Sequence, residues 1–272
     1  MPELPEVETV KSALSKVVIG AKVTNVFTGE KKLRFPFPNN FKKIVIGRTF
    51  SKPFRRAKYC LLPIGNFEFL LIHLGMSGKI RILNFNPFPE KHDHLIISLD
   101  NDFHIIYSDT RRFGFIDIIK GDLDKNKIFS ILGPEPLSAK FEKTYLFNLI
   151  KNSSQKIKKL LLDQTIVAGL GNIYVNEILF KSLISPNRLG KNVSIKKCEI
   201  IVNSTKLIIK NAINAGGTTI KDHIQPDGNL GYFKNYLKVY ARTNLNCANC
   251  NSMIKEVVIS NRKSFYCPQC QR

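Results

Sequence analysis

The chain has 272 residues, 43% of them hydrophobic, and its 42 Lys and Arg against 21 Asp and Glu give a formal net charge of +21. That length supplies real cores for two modest domains or for one domain with appendages, and basic charge spread along the whole chain leaves two readings, a polyanionic partner or a solvated basic surface. No run of about 18 apolar residues occurs and the start lacks a signal peptide's basic and apolar regions, so a soluble, cytoplasmic protein without a membrane helix is expected.

From Val7 to Val18 the spacing puts Val7, Val10, Leu14 and Val17 on one face of a helix, with Pro5 in its first turn and the carboxylates of Glu6 and Glu8 at its positive end. Between Lys22 and about Ile119 the pattern becomes short β-rich runs separated by Gly, Pro, Asn and Asp. These are Lys43 to Phe50, Tyr59 to Ile64, Glu68 to Leu74, Lys79 to Leu83, Leu95 to Leu99, His104 to Tyr107 and Phe113 to Ile118. A β-sandwich or barrel is expected there. Gly133-Pro134-Glu135-Pro136 is too rich in breakers to lie inside an element and marks a domain boundary. Helical patterning then covers Phe141 to Lys151, Gln155 to Leu162, Leu170 to Ser182 and Ser194 to Ala215.

Near the end, Cys247-x-x-Cys250 and Cys267-x-x-Cys270 are separated by sixteen residues, enough for a β-hairpin that brings four thiolates around one tetrahedral Zn²⁺. With every ligand a cysteine no coordination position is left open, so the metal is expected to be structural. Cys60 and Cys198 stand alone in apolar or helical contexts, which suits a reducing compartment and not a disulfide framework. Arg262 near the hairpin tip reads either as a phosphate or groove contact or as an incidental charge on a stabilising staple.

The run Met1-Pro2-Glu3-Leu4-Pro5-Glu6-Val7-Glu8, taken alone, is a capped helix start. Together with His73-Leu74-Gly75-Met76-Ser77-Gly78, Lys91-His92-Asp93-His94, Asp109-Thr110-Arg111-Arg112-Phe113-Gly114, Gly169-Leu170-Gly171-Asn172-Ile173-Tyr174, Gly216-Gly217-Thr218-Thr219 and the cysteine module, it resembles the formamidopyrimidine-DNA glycosylases over essentially the whole chain. The resemblance implies an α+β multidomain fold. Residues 1–132 would form an N-terminal β-sandwich with a leading helix, 133–236 a helix-two-turn-helix domain, and 237–272 a four-cysteine zinc finger. It also implies a bifunctional glycosylase and lyase, acting as a monomer on double-stranded DNA that carries oxidised purines.

In that family the nucleophile is the amine of Pro2, exposed when Met1 is removed. A secondary amine that attacks the sugar C1′ becomes an iminium ion on ring opening, an electron sink that permits strand cleavage. An α-amino group, with a reference pKa of about 8, has a useful neutral fraction without burial. The resemblance makes Glu3 the general acid/base and Lys58 a phosphate contact and proton donor, and groups Arg262 with the catalytic set. Glu6 is read as acting through local hydrogen bonds and the helix terminus, with a catalytic role as the alternative. Met76, Arg111 and Phe113 correspond to the wedge that fills the gap left by an extruded nucleotide, although Met76 and Phe113 taken singly read as core. His92 corresponds to a DNA contact, against a metal reading of Lys-His-Asp-His. Asn172 and Lys158 correspond to the pair that holds the phosphodiester, with Lys156 and Lys159 as alternatives, while Asn172 taken alone is a helix N-cap. Residues Gly216 to Phe233 correspond to a loop over the expelled base.

Two positions depart from the family pattern, Thr110 in place of a common Pro and Ala241 in place of a common Gly. Two other readings stand beside the leading one. The first is an endonuclease VIII-like enzyme for oxidised pyrimidines, against which the Leu4-Pro5 start and the complete wedge argue. The second is a non-catalytic zinc DNA-binding protein, which would have no reason to keep Pro2-Glu3 together with Lys58.

Overall fold

The computed structural model describes residues 2–65, 67–218 and 232–272. Two compact units are present, Met1–Ser130 with Ala215–Lys234, and Ile131–Asn214 with Asn235–Arg272.

The first unit opens with helix α1 (Leu4–Val18), which buries Val7, Val10, Leu14 and Val18 while Val17 sits on the shoulder of that face. Strand β1 (Val23–Thr28) and the short helix α2 (Phe41–Val45) follow. Then come β2 (Phe54–Arg56), β3 (Tyr59–Gly65), β4 (Glu68–His73), β5 (Gly78–Leu83), β6 (Asp93–Leu99), β7 (His104–Asp109) and β8 (Phe115–Lys120). They pair antiparallel into two four-stranded sheets, ordered β1-β6-β7-β5 and β2-β3-β4-β8. One core collects Cys60, Leu62 and Ile64 of β3, Leu70 and Ile72 of β4, Ile97 of β6, Ile105 and Tyr107 of β7 and the buried face of α1. The two-residue period of a strand and the three-to-four-residue period of a helix thus deliver their apolar sides to the same interior. Each such side chain contributes about 1.5–3 kcal/mol.

One expectation fails here. Lys43 to Phe50 is not a strand: α2 covers its start, and only Thr49 makes an isolated bridge, to Lys22. The run Ile44-Val45-Ile46 has β-favouring side chains, but Phe41 and Val45, four apart, both reach the core and the helical turn serves them better. Strands β1 and β2, unnamed by the sequence pattern, complete the two sheet edges.

The second unit contains α3 (Lys143–Ile150), α4 (Ile157–Leu162), α5 (Asn172–Lys181), α6 (Ile195–Asn214) and the hairpin β9 (Lys255–Ile259) and β10 (Arg262–Tyr266). Glu142 caps α3 by accepting from the N–H groups of Thr144 and Tyr145. Between α4 and α5 the chain makes two turns held by one amide. Gln164 donates to the carbonyls of Leu162 and Leu170 and accepts from the N–H of Gly169. The hairpin packs into a second core of Phe180, Val239, Cys247, Ile254, Phe265 and Cys267. Its turn residues Ser260 and Asn261 have φ of 50° and 58°, the two left-handed positions of the type I′ turn that suits strand twist. Among the described residues no helix is long and apolar enough to cross a membrane.

Candidate functional site

Glu3 is the N-cap of α1 and forms a reciprocal capping box with Glu6. The Glu3 backbone N–H donates to Glu6 Oε2 at 2.7 Å. Pro2 is buried and both carboxylates are 1% exposed, so the first residues are a fixed part of the interior. Glu6 Oε1 accepts from the N–H of Thr218 at 2.7 Å. Thr218 in turn bridges Tyr232, Tyr232 N–H donates to the Ala215 carbonyl and Phe233 N–H to that of Gly217, so a closed stem leads into the segment expected to cover the expelled base. Residues 219–231, with Gly228 and Gly231, lie outside the described residues, as does Met1.

Lys58 lies in the two-residue turn between β2 and β3, where Ala57 has a φ of 52°. The turn is tied to α1 by Arg55, whose Nε donates to Glu8 at 2.8 Å while its Nη1 donates to the Ala57 carbonyl at 2.9 Å. Glu8 also pairs with Lys11. Burial pushes the Glu8 carboxyl up, but hydrogen bonds and charge from Lys11 and Arg55 outweigh it and hold the group below its usual range. The hairpin tip carrying Lys58 is thereby anchored to the helix that starts beside Pro2. His73, at the end of β4, stacks with Tyr59 and Phe115 and accepts at Nδ1 from the Gly75 N–H. Burial, with the charges of Lys58 and Arg34, pushes it down to about 4 against the opposing pull of Asp109.

Met76, Arg111 and Phe113 all lie on the surface, Met76 37% and Phe113 47% exposed, so the core reading of these two apolar side chains fails. The Arg111 guanidinium lies over the Phe113 ring at 4.7 Å. Arg112 between them has a φ of 57°, a left-handed conformation of the kind held in place at functional loops. The loops bearing Met76 and Phe113 touch backbone to backbone: a methyl at Gly75 would collide with Phe113 and Gly114, and one at Gly114 with the Tyr107 hydroxyl and the His73 carbonyl. His92, just before β6, is half-buried, its carbonyl accepting from the Asp109 N–H at 3.0 Å.

In the second unit Lys158 is wholly buried and points inward from α4. Its ammonium donates to Ser264 Oγ at 2.6 Å, the Lys263 carbonyl at 2.9 Å and Asn176 Oδ1 at 3.4 Å, so the cost of burying a charge is met by acceptors on α5 and β10. Lys156 donates to Asn187, and Lys159 is exposed. Asn172 is not the N-cap of α5. Gly171 takes that position, and the Asn172 amide instead donates to the Lys263 carbonyl at 3.0 Å. Asn176 closes the set, accepting from the Phe265 N–H at 2.9 Å. Arg262, the first residue of β10, is exposed next to the turn.

Cys247, Cys250, Cys267 and Cys270 bring their sulfurs within 4.8 Å of one another. The Cys250–Cys267 and Cys247–Cys270 separations of 3.4 and 3.9 Å are too long for disulfides. They bracket the roughly 3.8 Å edge that Zn–S bonds of about 2.3 Å give a tetrahedron. Backbone N–H groups of Asn249 and Cys270 donate to the sulfurs of Cys247 and Cys267, as suits thiolates. The donor set fits a soft divalent metal. Among the described residues this is the one such cluster, so His92 and His94 belong to none. His94 instead reaches the Asp109 carbonyl through Nε2.

Two buried carboxylates that build these sites were given no role by the sequence, although Asp109 opens one of the family-like runs. Asp109 is fully buried among the two wedge loops, and Glu177 of α5 accepts from three successive N–H groups, those of Lys238, Val239 and Tyr240. Burial pushes the Glu177 carboxyl up against the pull of those three donors. A buried carboxylate whose partners are backbone N–H groups leaves no pattern of neighbouring charge to read.

A two-sheet sandwich with a leading helix, a helix-two-turn-helix and a four-cysteine hairpin define the class of DNA-repair glycosylases built on that combination. The chain matches the formamidopyrimidine-DNA glycosylase N-terminal domain over residues 1–116, the formamidopyrimidine-DNA glycosylase H2TH domain over 132–224, and the zinc finger found in FPG and IleRS over 245–272. It belongs to the formamidopyrimidine-DNA glycosylase family. Among its relatives, the formamidopyrimidine-DNA glycosylases of Roseobacter denitrificans and of Legionella pneumophila strain Lens are 40% and 42% identical, over the whole of this chain and 100% and 98% of theirs. Two Lactococcus lactis structures, Fpg with DNA containing an abasic site and an FPG mutant with DNA containing Fapy-dG, superpose with TM-scores of 0.91 and 0.92. Both are 34% identical, with all of each chain covered.

Proposed function

We propose that this protein excises oxidised purines, 8-oxoguanine and formamidopyrimidines, from double-stranded DNA and then nicks the strand by β,δ-elimination. The observation that carries this reading is the fixed start of the chain, where Pro2 and Glu3 are buried and clamped by Glu6, which also holds the stem of the loop that follows α6. A nucleophile needs such placement, because orientation supplies much of the rate of an intramolecular attack. The amine of Pro2 forms a bond to C1′ as the glycosidic bond breaks and the base leaves with a proton. Opening of the sugar ring converts the adduct to an iminium ion; loss of the C2′ proton expels the 3′ phosphate, loss of the C4′ proton then expels the 5′ phosphate, and water releases Pro2 from the remaining five-carbon fragment. Glu3 exchanges protons at the sugar, and Lys58 contacts phosphate and donates a proton. Arg262 serves the phosphate whose departure completes the nick.

Met76, Arg111 and Phe113 form the wedge, His92 contacts the backbone, and Asn172 with Lys158 serves the phosphodiester at the helix-two-turn-helix. Lys158 takes part through the hairpin, since its ammonium and the Asn172 amide share the Lys263 carbonyl. Cys247, Cys250, Cys267 and Cys270 hold one zinc ion, which supplies a structural cross-link and no chemistry at the sugar. The working division is 1–132, 133–236 and 237–272, and the protein acts as a monomer in the bacterial cytoplasm. The relatives named above support the substrate class, as glycosylases of formamidopyrimidine and as complexes with Fapy-dG and abasic DNA. Borohydride trapping on a duplex with 8-oxoguanine opposite C, followed by mass mapping, tests the reading. An adduct on Pro2 is expected, and no adduct from protein that begins at Pro2 and binds the duplex would overturn it.

A further inference from the structure

The carboxylate of Asp109, at the end of β7, is wholly buried and accepts from both loops of the wedge. Oδ1 takes Ser77 Oγ at 2.5 Å from the Met76 loop and the Arg111 N–H at 3.2 Å from the other; Ser77 Oγ itself accepts from the Arg111 N–H at 3.0 Å. Oδ2 takes the Gly114 N–H at 2.8 Å and the Tyr107 hydroxyl at 3.3 Å. The Asp109 backbone extends the same centre, its N–H donating to the His92 carbonyl and its carbonyl facing His94 Nε2 at 2.9 Å. The side chain of Asp109 thus holds Arg111 and the neighbours of Met76 and Phe113, while its main chain holds His92. A carboxylate accepts at several lone pairs and donates at none, which is what four converging donors require.

We infer that Asp109 is the positioning residue of the wedge: by joining the Ser77 and Arg111–Gly114 loops it pre-forms the element that replaces the extruded nucleotide, and it fixes Arg111 against the orphaned base. This rests on the glycosylase reading above. A wedge assembled before DNA arrives pays no ordering entropy at the moment of extrusion. With its main chain held on both sides, Arg111 can present its guanidinium in one orientation, and discrimination between opposite bases follows from that orientation. Thr110, where the family commonly has Pro, sits in a bend already held from within, so the ring is dispensable.

Asp109→Asn keeps the size of the side chain and sets an NH₂ against N–H and O–H donors; Ser77→Ala removes one donor and leaves the carboxylate. Two measurements apply to each. The first compares excision of 8-oxoguanine opposite C and opposite A, beside cleavage of a single-stranded abasic oligonucleotide, which has no gap to fill. The second is the fluorescence of 2-aminopurine placed opposite an uncleavable tetrahydrofuran site, which reads wedge insertion without any chemistry. Asp109→Asn is expected to slow duplex excision 10- to 100-fold, to narrow the ratio of C to A several-fold and to lessen the fluorescence change. Single-strand cleavage should stay within about threefold of wild type. Ser77→Ala should move the same readouts the same way by less. An unchanged ratio and fluorescence in both variants would overturn the assignment. Should Asp109→Asn lose single-strand cleavage as well, Ser77→Ala decides alone, with a narrowed ratio supporting the role and an unchanged one overturning it. Absence of cleavage in the wild type overturns the glycosylase reading instead, and the fluorescence comparison still judges the wedge.

Discussion

The carboxylate of Glu6 accepts from the backbone N–H of Thr218, 212 positions later in the chain, with one oxygen, and from that of Glu3 with the other. One side chain therefore sets both the attitude of the N-terminal arm and the position of Thr218, which bridges Tyr232. Glu6→Gln turns an NH₂ toward one of these N–H groups. A lost hydrogen bond of this kind costs about 1–3 kcal/mol. Borohydride trapping should slow by roughly 10- to 100-fold while affinity for a tetrahydrofuran duplex changes little; equal losses in both would show that Glu6 serves DNA binding instead.

Pro2→Gly leaves an amine but removes the ring that fixes its direction. Base excision and trapping are expected to fall at least 100-fold, with binding to the uncleavable duplex within about threefold. The measurement is single-turnover cleavage beside a fluorescence-anisotropy titration. Parallel losses would mean that the residue holds DNA and is not the nucleophile.

Arg262→Ala removes an exposed cation that makes no contribution to the hairpin core. If it meets a phosphate, the slope of log K against log salt should flatten by about 0.9 and affinity should drop at low salt. An unaltered slope would leave Arg262 as an incidental charge on a stabilising staple.

Removing the metal should loosen the C-terminal core, where Cys247 and Cys267 pack with Phe180 and Phe265. Metal released by an organomercurial and read with a chromogenic chelator should amount to about one zinc per chain. Loss of DNA affinity and a lowered Tm should follow its release. A metal-free preparation that keeps both would contradict a structural role for the four cysteines.

His73 is held down to about 4 in the fold, whereas an unfolded histidine titrates near 6.5. Between those values the unfolded chain binds the extra proton, so stability rises with pH across that window. The contribution is complete above about 6.5 and lost as pH falls toward 4. It amounts to a few kcal/mol by linkage. His73→Phe should flatten the dependence of denaturant midpoint on pH between 4 and 6.5. A slope equal to wild type would place the acid sensitivity elsewhere.

Much of this architecture is written in side-chain period. The spacing of Val7, Val10 and Leu14 announces α1, and the short β-rich runs between Gly, Pro, Asn and Asp announce the strands of a two-sheet core. The reading failed at Ile44-Val45-Ile46, where the branched side chains favour a strand but the spacing from Phe41 to Val45 decides. It was silent on β2, three residues long. The cysteine cluster was legible because metal ligation demands fixed spacing. Lys158 was ambiguous beside Lys156 and Lys159 because all three carry one charge, and what distinguishes it is only that it shares the buried side of α4 with Ile157 and Leu161. The local role of Glu6 at the helix start was legible, but its hold on Thr218 and the role of Asp109 were not, since those partners are main-chain groups brought together by the fold.

Ala241, where relatives commonly carry Gly, has a φ of 56°, in the region that costs an alanine about 1 kcal/mol. The three N–H groups just before it, those of Lys238, Val239 and Tyr240, are gathered by Glu177, and that grip fixes the chain as it enters the bend. An unfavourable local conformation thus sits directly after a single buried anchor, and without Glu177 the bend would keep the cost and lose the grip.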